Sequence, residues 1–151
     1  MAELLRRHAP APGGRLYDVG SQDVNGTYRA IAAPFGAYVG LDVAPGPNVD
    51  VVVPEEGAWP LEPAPLAISG QCLEHVRHPW VWIRQIRGIV IGSGTVILIA
   101  PHTFPEHRYP LDCRRIFPDG MRALLEWGGF EVVDVGKSSC DCFGVGRAVI
   151  A

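Results

Sequence analysis

The chain has 151 residues, 48% apolar and 19% charged, so it carries enough apolar material for one full core and is not a disordered segment. Its formal net charge of −3 offers no field for a phosphate backbone, and no nucleic-acid partner is expected. The most apolar stretch, Ile89–Pro101, is interrupted by Gly92, Ser93 and Gly94 and is too short to span a bilayer, so no membrane is expected either.

Met1–His8 contains Glu3, Arg6 and Arg7, which excludes a secretory leader and allows one or two helical turns. Pro10, Pro12, Gly13 and Gly14 break the chain before a strand over Arg15–Val19 that enters Gly20. Asn25–Ala33 is predicted as a helix stopped by Pro34 and Gly36, and Ala37–Leu41 as a second strand ending at Asp42. After a Pro/Gly turn over Ala44–Asn48, the valines of Val49–Val53 predict a third strand. Pro54–Pro65 reads as a loop, Leu66–Ser69 as a fourth strand, and His78–Arg87 as a helix with Pro79 in its first turn. Gly94–Ala100 is the fifth strand, His102–Pro118 a long irregular segment, and Asp119–Trp127 a helix ended by Gly128 and Gly129. Phe130–Val135 and Gly144–Ile150 are the last two strands.

Strands alternating with helices imply a parallel sheet covered on both faces. Gly136–Phe143 is too short for a crossover, so the last two strands form an antiparallel hairpin. The expected fold is therefore α/β: a Rossmann-like open, mostly parallel seven-stranded sheet with helices on both faces and a C-terminal antiparallel hairpin. Residues 15–151 form the domain and 1–14 a short N-terminal segment. Such sheets bind ligands beyond the carboxyl ends of their strands.

Three segments fall at those ends. Asp18-Val19-Gly20-Ser21-Gln22 follows the first strand, where a glycine lets the backbone turn sharply and come close to a ligand. The G-x-G-x-x-G spacing of a pyrophosphate loop is missing, because Gln22 takes the place of the second glycine. An acidic Asp18 suits a cationic amino group better than a pyrophosphate; an ordinary β–α turn is the plain alternative. Gly40-Leu41-Asp42 follows the second strand, where a carboxylate can accept from ribose hydroxyls or merely cap a turn. Gln71-Cys72-Leu73-Glu74-His75-Val76 follows the fourth.

Asp-x-Gly, Gly-x-Asp and Leu-Glu-His-Val, in this order, resemble the class I S-adenosylmethionine-dependent methyltransferases, in particular their broad "type 11" group, from about Arg15 to the end of the chain. The resemblance implies that Asp18 lies near the methionine amino group and that Gly20 and Ser21 line the methionine and ribose. It places Asp42 on the ribose hydroxyls, Val43 or Leu41 on the adenine face, and Glu55 and Glu56 at the adenine edge. Gln71 and Cys72 pass beside the methionine portion. The implied cofactor is S-adenosyl-L-methionine, the implied partner a small-molecule methyl acceptor, and the implied setting cytoplasmic. Members often carry extra N-terminal helices over the substrate. With only about fourteen residues before the first strand, the chain is expected to be a minimal or truncated member that lacks this cap, as a homodimer or with a partner subunit.

Glu74 beside His75 reads either as a base assembly or as a structural pair seating the next helix. His75 and His107 are the candidate proton acceptors. The segment His102–Pro118 is expected at the ligand edge, with His102, Arg108, Tyr109 and Arg115 gripping the acceptor. A metal set of His102, His107, Asp112 and Cys113 matches no standard spacing, nor does Cys140-x-Cys142, so no metal is expected and the four cysteines read as reduced thiols. A nucleoside-binding protein without turnover and a nicotinamide oxidoreductase are the rival functions; the missing glycine pattern argues against the second.

Overall fold

The computed structural model describes residues 1–150. The elements run α1 (Ala2–His8), β1 (Arg15–Val19), α2 (Arg29–Ala32), β2 (Ala37–Asp42), β3 (Val51–Val52), β4 (Ala64–Gly70), α3 (Pro79–Gly88), β5 (Val90–Pro101), α4 (Pro118–Trp127), β6 (Phe130–Ser138) and β7 (Asp141–Ala148). They build one seven-stranded sheet in the order β3-β2-β1-β4-β5-β7-β6. The first five strands are parallel; β7 runs antiparallel between β5 and β6. This is the expected Rossmann-like sheet with its C-terminal hairpin.

Alternation along the strands assigns each side chain to one of two cores. Tyr17, Val19, Ala67, Val96 and Leu98 face one side, where Trp82, Ile83 and Ile86 of α3 and Met121, Leu124 and Leu125 of α4 cover them. Leu16, Leu66, Ile68, Ile97 and Ile99 face the other, under Leu4 and Leu5 of α1 and Ala32 of α2. Leu5 is fully buried, and its removal to Ala would cost about 2–5 kcal/mol. Arg7 and His8 tie the end of α1 to Asp134 of β6 at 3.3 and 3.1 Å.

Four expected boundaries move, each for a local reason. The helix expected over Asn25–Ala33 is only the turn Arg29–Ala32, followed by a 3-10 turn at Ala33–Phe35. Asp23 accepts from the Gly26 amide at 2.8 Å and Thr27 from the Arg29 amide at 2.9 Å, so side chains that make turns claim the donors a helix needs. The third strand shrinks to Val51–Val52, because β2 offers it only Leu41 and Asp42 and Asn48 sits at φ +67°. The hairpin loop shrinks instead: β6 and β7 pair as far as Ser138 and Asp141, leaving Ser139 and Cys140 as the turn. β5 starts four residues early at Val90, through an irregularity opposite Ala64–Leu66.

Candidate functional site

A cavity of about 910 Å³ opens at the carboxyl ends of β1, β2 and β4, within the size range of small-molecule sites. At one end stands the loop after β1. Gly20 has φ +78°, and a side chain there would overlap Cys72 Sγ and Cβ, so both backbone and space require glycine. The amides of Gly20 and Ser21 donate to the Leu41 carbonyl at 2.8 and 3.0 Å. Those are donors a pyrophosphate would need, and the next helix starts only at Arg29. The geometry therefore works against the oxidoreductase alternative.

Asp18 closes β1, 2% exposed, on the cavity wall. Tyr38 donates its hydroxyl to Oδ2, while Oδ1 has no partner among the described residues. Burial pushes the carboxyl from its ordinary 3.8 up to about 6, against the Tyr38 hydrogen bond and the Arg29 charge. Burial likewise raises the Tyr38 phenol, and Tyr28 on the same wall reaches about 12, so both stay neutral donors. Asn48 Nδ2 donates to Tyr38 at 2.9 Å and to the Ser21 carbonyl at 2.8 Å, and Ser21 Oγ donates to the Asn48 carbonyl at 3.1 Å. Arg29 binds Asn48 at 2.7 Å and Asp50 at 2.6 Å and lies over the Tyr38 ring. Tyr38, Asn48 and Arg29 were not singled out from the sequence; nothing in their local spacing marks a network closed between β1, β2 and α2.

Asp42 accepts from the amides of Gln22 and Ala44 at 3.2 and 3.3 Å, which fixes its carboxylate on the cavity wall. Val43 and Glu55 line the wall beside the apolar Val53, Trp59 and Trp82. Trp59 is fixed by its indole N–H on the Pro54 carbonyl at 2.9 Å. Gln85 of α3 binds the carbonyls of Glu55 and Gly57 at 3.2 and 2.7 Å, and its own Oε1 is buried without a partner. Gln71 and Cys72 border the cavity where β4 ends.

At the other end a 3-10 turn, Leu73–His75, carries Glu74 and His75. The segment after β5 folds onto it. Arg114 donates to the carbonyls of Leu73, Val76 and Arg77, and the Cys113 amide donates to the Glu74 carbonyl at 2.7 Å. Arg115 grips Asp112 through two bonds of 2.6 and 2.8 Å, which holds the Asp112 carboxyl well below the usual range. Asp112 in turn accepts from the His107 amide at 2.7 Å. His107, Arg108 and Tyr109 are thereby presented to the cavity.

The Glu56 side chain is exposed, 3.5 Å from His78. Two expected contacts lie elsewhere. His102 bonds the Ser139 carbonyl at 2.9 Å and leans on Phe117. Arg115 is spent on Asp112 and the carbonyls of Phe104 and Pro105. The four residues first weighed as a metal set are not brought together, since Cys113 is exposed and Asp112 is taken by Arg115. All four cysteines are free thiols.

No protein-family model matches the chain, and no curated protein matches it in sequence. Solved structures match its shape. The 1,6-didemethyltoxoflavin-N1-methyltransferase of Burkholderia thailandensis, solved with 1,6-didemethyltoxoflavin and S-adenosylhomocysteine, superposes with a TM-score of 0.79 over 99% of this chain and 76% of its own, at 14% identity. An S-adenosylmethionine-dependent methyltransferase of Aquifex aeolicus gives 0.75 over 97% and 88%, at 15% identity. A complex of the Haloferax volcanii Trm112 methyltransferase activator with a methyltransferase gives 0.78 over 99% and 88%, at 14% identity. The chain thus has the fold of the class I S-adenosylmethionine-dependent methyltransferases. Among the described residues no helix is long and apolar enough to cross a membrane.

Proposed function

We propose that the chain binds S-adenosylmethionine and transfers its methyl group to an oxygen or nitrogen of a small molecule. Asp18 carries this reading. A buried carboxylate with one oxygen held and the other without a partner, on a cavity wall, calls for a cation, and the α-amino group of the methionine portion is one. Asp42, kept in place by two amides, accepts from the ribose hydroxyls. Val43, Val53 and Trp59 supply flat apolar surface for adenine, with Glu55 at its edge. Ser21, Gln71 and Cys72 border the methionine portion.

The bound sulfonium supplies a methyl carbon already activated for displacement. The chain's work is then alignment of the acceptor with that carbon, which can account for much of a methyl transfer. His75, His107, Arg108 and Tyr109 line the end of the cavity assigned to the acceptor in this reading. The cytoplasmic setting belongs to the same proposal.

Calorimetry with S-adenosylmethionine, S-adenosylhomocysteine and NAD tests it. The two sulfur nucleosides should bind and NAD should not; binding of NAD alone would overturn the reading. A second reading, nucleoside binding within a complex, is favoured by Trp80 and Trp127, both 57% exposed on the helical face. Light scattering at rising concentration tests self-association, and turnover against an acceptor library separates the two readings.

A further inference from the structure

Glu74, His75 and His107 meet at the acceptor end, and their ligand atoms all lie within 4.8 Å of one another. The Glu74 side chain is 1% exposed, and neither of its oxygens has a hydrogen-bond partner among the described residues. His75 Nε2 stands 3.7 Å from Glu74 Oε1 and His107 Nε2 3.8 Å, too far for hydrogen bonds.

The far side of each ring decides which nitrogen carries the proton. His75 Nδ1 meets the Leu111 carbonyl. His107 Nδ1 meets the Pro105 carbonyl at 3.2 Å, with the Asp112 carboxylate at 3.6 Å. These partners only accept, so both Nδ1 atoms carry hydrogen and both rings turn their Nε2 edge towards Glu74. Two ring nitrogens and a buried carboxyl group then face one another with no hydrogen bond between them. Ring N–H groups bound to backbone carbonyls are also outer contacts that metal-bound histidines make.

We propose that Glu74, His75 and His107 bind one divalent transition-metal ion of the zinc class. Two imidazoles and one carboxylate suit zinc, whereas calcium and magnesium prefer all-oxygen shells. Around a tetrahedral zinc, ligand atoms stand roughly 3.4 Å apart, a few tenths less than the two distances found here. Three protein ligands leave a position open, and both histidines line the cavity. That position faces the acceptor end, a placement that rests on the methyl-transfer reading; the ion itself does not. An acceptor hydroxyl coordinated there would lose its proton to solvent near neutral pH. The resulting oxygen lone pair forms the new bond to the methyl carbon as the carbon–sulfur bond breaks and its electron pair returns to sulfur. The acceptor class is therefore an alcohol, phenol or enol oxygen.

The test uses the whole chain, stripped with a chelator and titrated with Zn²⁺ by calorimetry and with Co²⁺ by visible absorption. One ion per chain is expected, with cobalt bands of a mixed nitrogen–oxygen site. Glu74→Gln keeps the shape, and His107→Ala lies on the surface segment; each should weaken binding by about 100-fold or more with the far-ultraviolet spectrum unchanged. Asp112→Asn, which disturbs the Arg115 pair and the His107 amide contact that position the His107 ring, should weaken it about 10–100-fold. No uptake by the wild-type chain, or uptake undiminished in folded Glu74→Gln and His107→Ala, overturns the proposal. S-adenosylhomocysteine titrated into the same samples reads the other proposal separately: nucleoside binding lost with metal binding intact sinks methyl transfer and leaves the metal site standing.

Discussion

The two ends of the cavity are held by different means. At the end proposed for the nucleoside, Asp18, Gly20, Ser21 and Asp42 sit at the ends of adjacent parallel strands, and their places follow from strand register: Asp18 pairs with Gly40 and Val19 with Leu41. At the acceptor end, no strand register aligns Glu74 and His75 with His107. They meet because Arg114 clamps one irregular segment onto a 3-10 turn and Arg115 braces Asp112 beneath His107. Backbone pairing at one end and side-chain clamps at the other mean that single substitutions should act differently in the two places.

The largest effect is expected where backbone geometry has no slack. Gly20→Val combines a positive φ with a clash against Cys72, and should cost about 2–5 kcal/mol in urea unfolding and abolish nucleoside binding. A stable variant that still binds S-adenosylhomocysteine would remove the β1 loop from the site. Next comes Asp42→Ala, which should weaken S-adenosylhomocysteine by about 1.5–3 kcal/mol in calorimetry. Unchanged affinity would reduce Asp42 to a turn cap.

Asp18 adds a pH dependence with a definite sign. Its folded pKa of about 6 lies above the ordinary 3.8, so between these values the folded chain binds more protons than the unfolded one. Its contribution to the stability of the ligand-free protein is therefore present below pH 4 and lost as pH rises through 6, about 3 kcal/mol in all. Binding of a cationic amino group needs the ionised form, so S-adenosylhomocysteine affinity should fall about tenfold from pH 7 to pH 5. Asp18→Asn should flatten both profiles; a pH dependence that survives in this variant would point to another group.

Smaller effects are expected at the clamped end. Arg114→Met removes donors from three carbonyls and should cost about 1–2 kcal/mol of stability while loosening the segment, read as faster amide exchange around His107. Nucleoside affinity should change little. Smallest of all, Tyr109→Phe, on an exposed ring, should leave nucleoside affinity and stability within about 0.5 kcal/mol. A larger loss of affinity would place Tyr109 at the nucleoside end and erase the division between the two.

Much of this molecule is local, and the local part was legible. Strands alternating with helices, the continuous apolar run within Gly94–Ala100, the Pro and Gly stops, and the absence of a crossover before Gly144 were enough to specify a mostly parallel sheet closed by a hairpin. Asp18, Gly20 and Asp42 could be singled out because strand ends and turns advertise themselves in nearest-neighbour residues. The short α2 was missed because Asp23 and Thr27 bind backbone amides that a helix would use, a competition that helical patterning does not register.

Only the tertiary structure decided what is built across chain-distant segments. The Asp18–Tyr38–Asn48–Arg29 network joins residues that no spacing relates, and it exists because β1 and β2 pair side by side. Arg115 looks in sequence like a donor offered to a ligand; folding turns it inward to Asp112, and Arg114 beside it to backbone carbonyls, since groups so placed must find partners when water leaves. The sequence showed Glu74 and His75 as a pair and His107 as a separate candidate. Their convergence depends on the path of the segment after β5, and that path is set by contacts of the whole fold rather than by the propensities of its own residues.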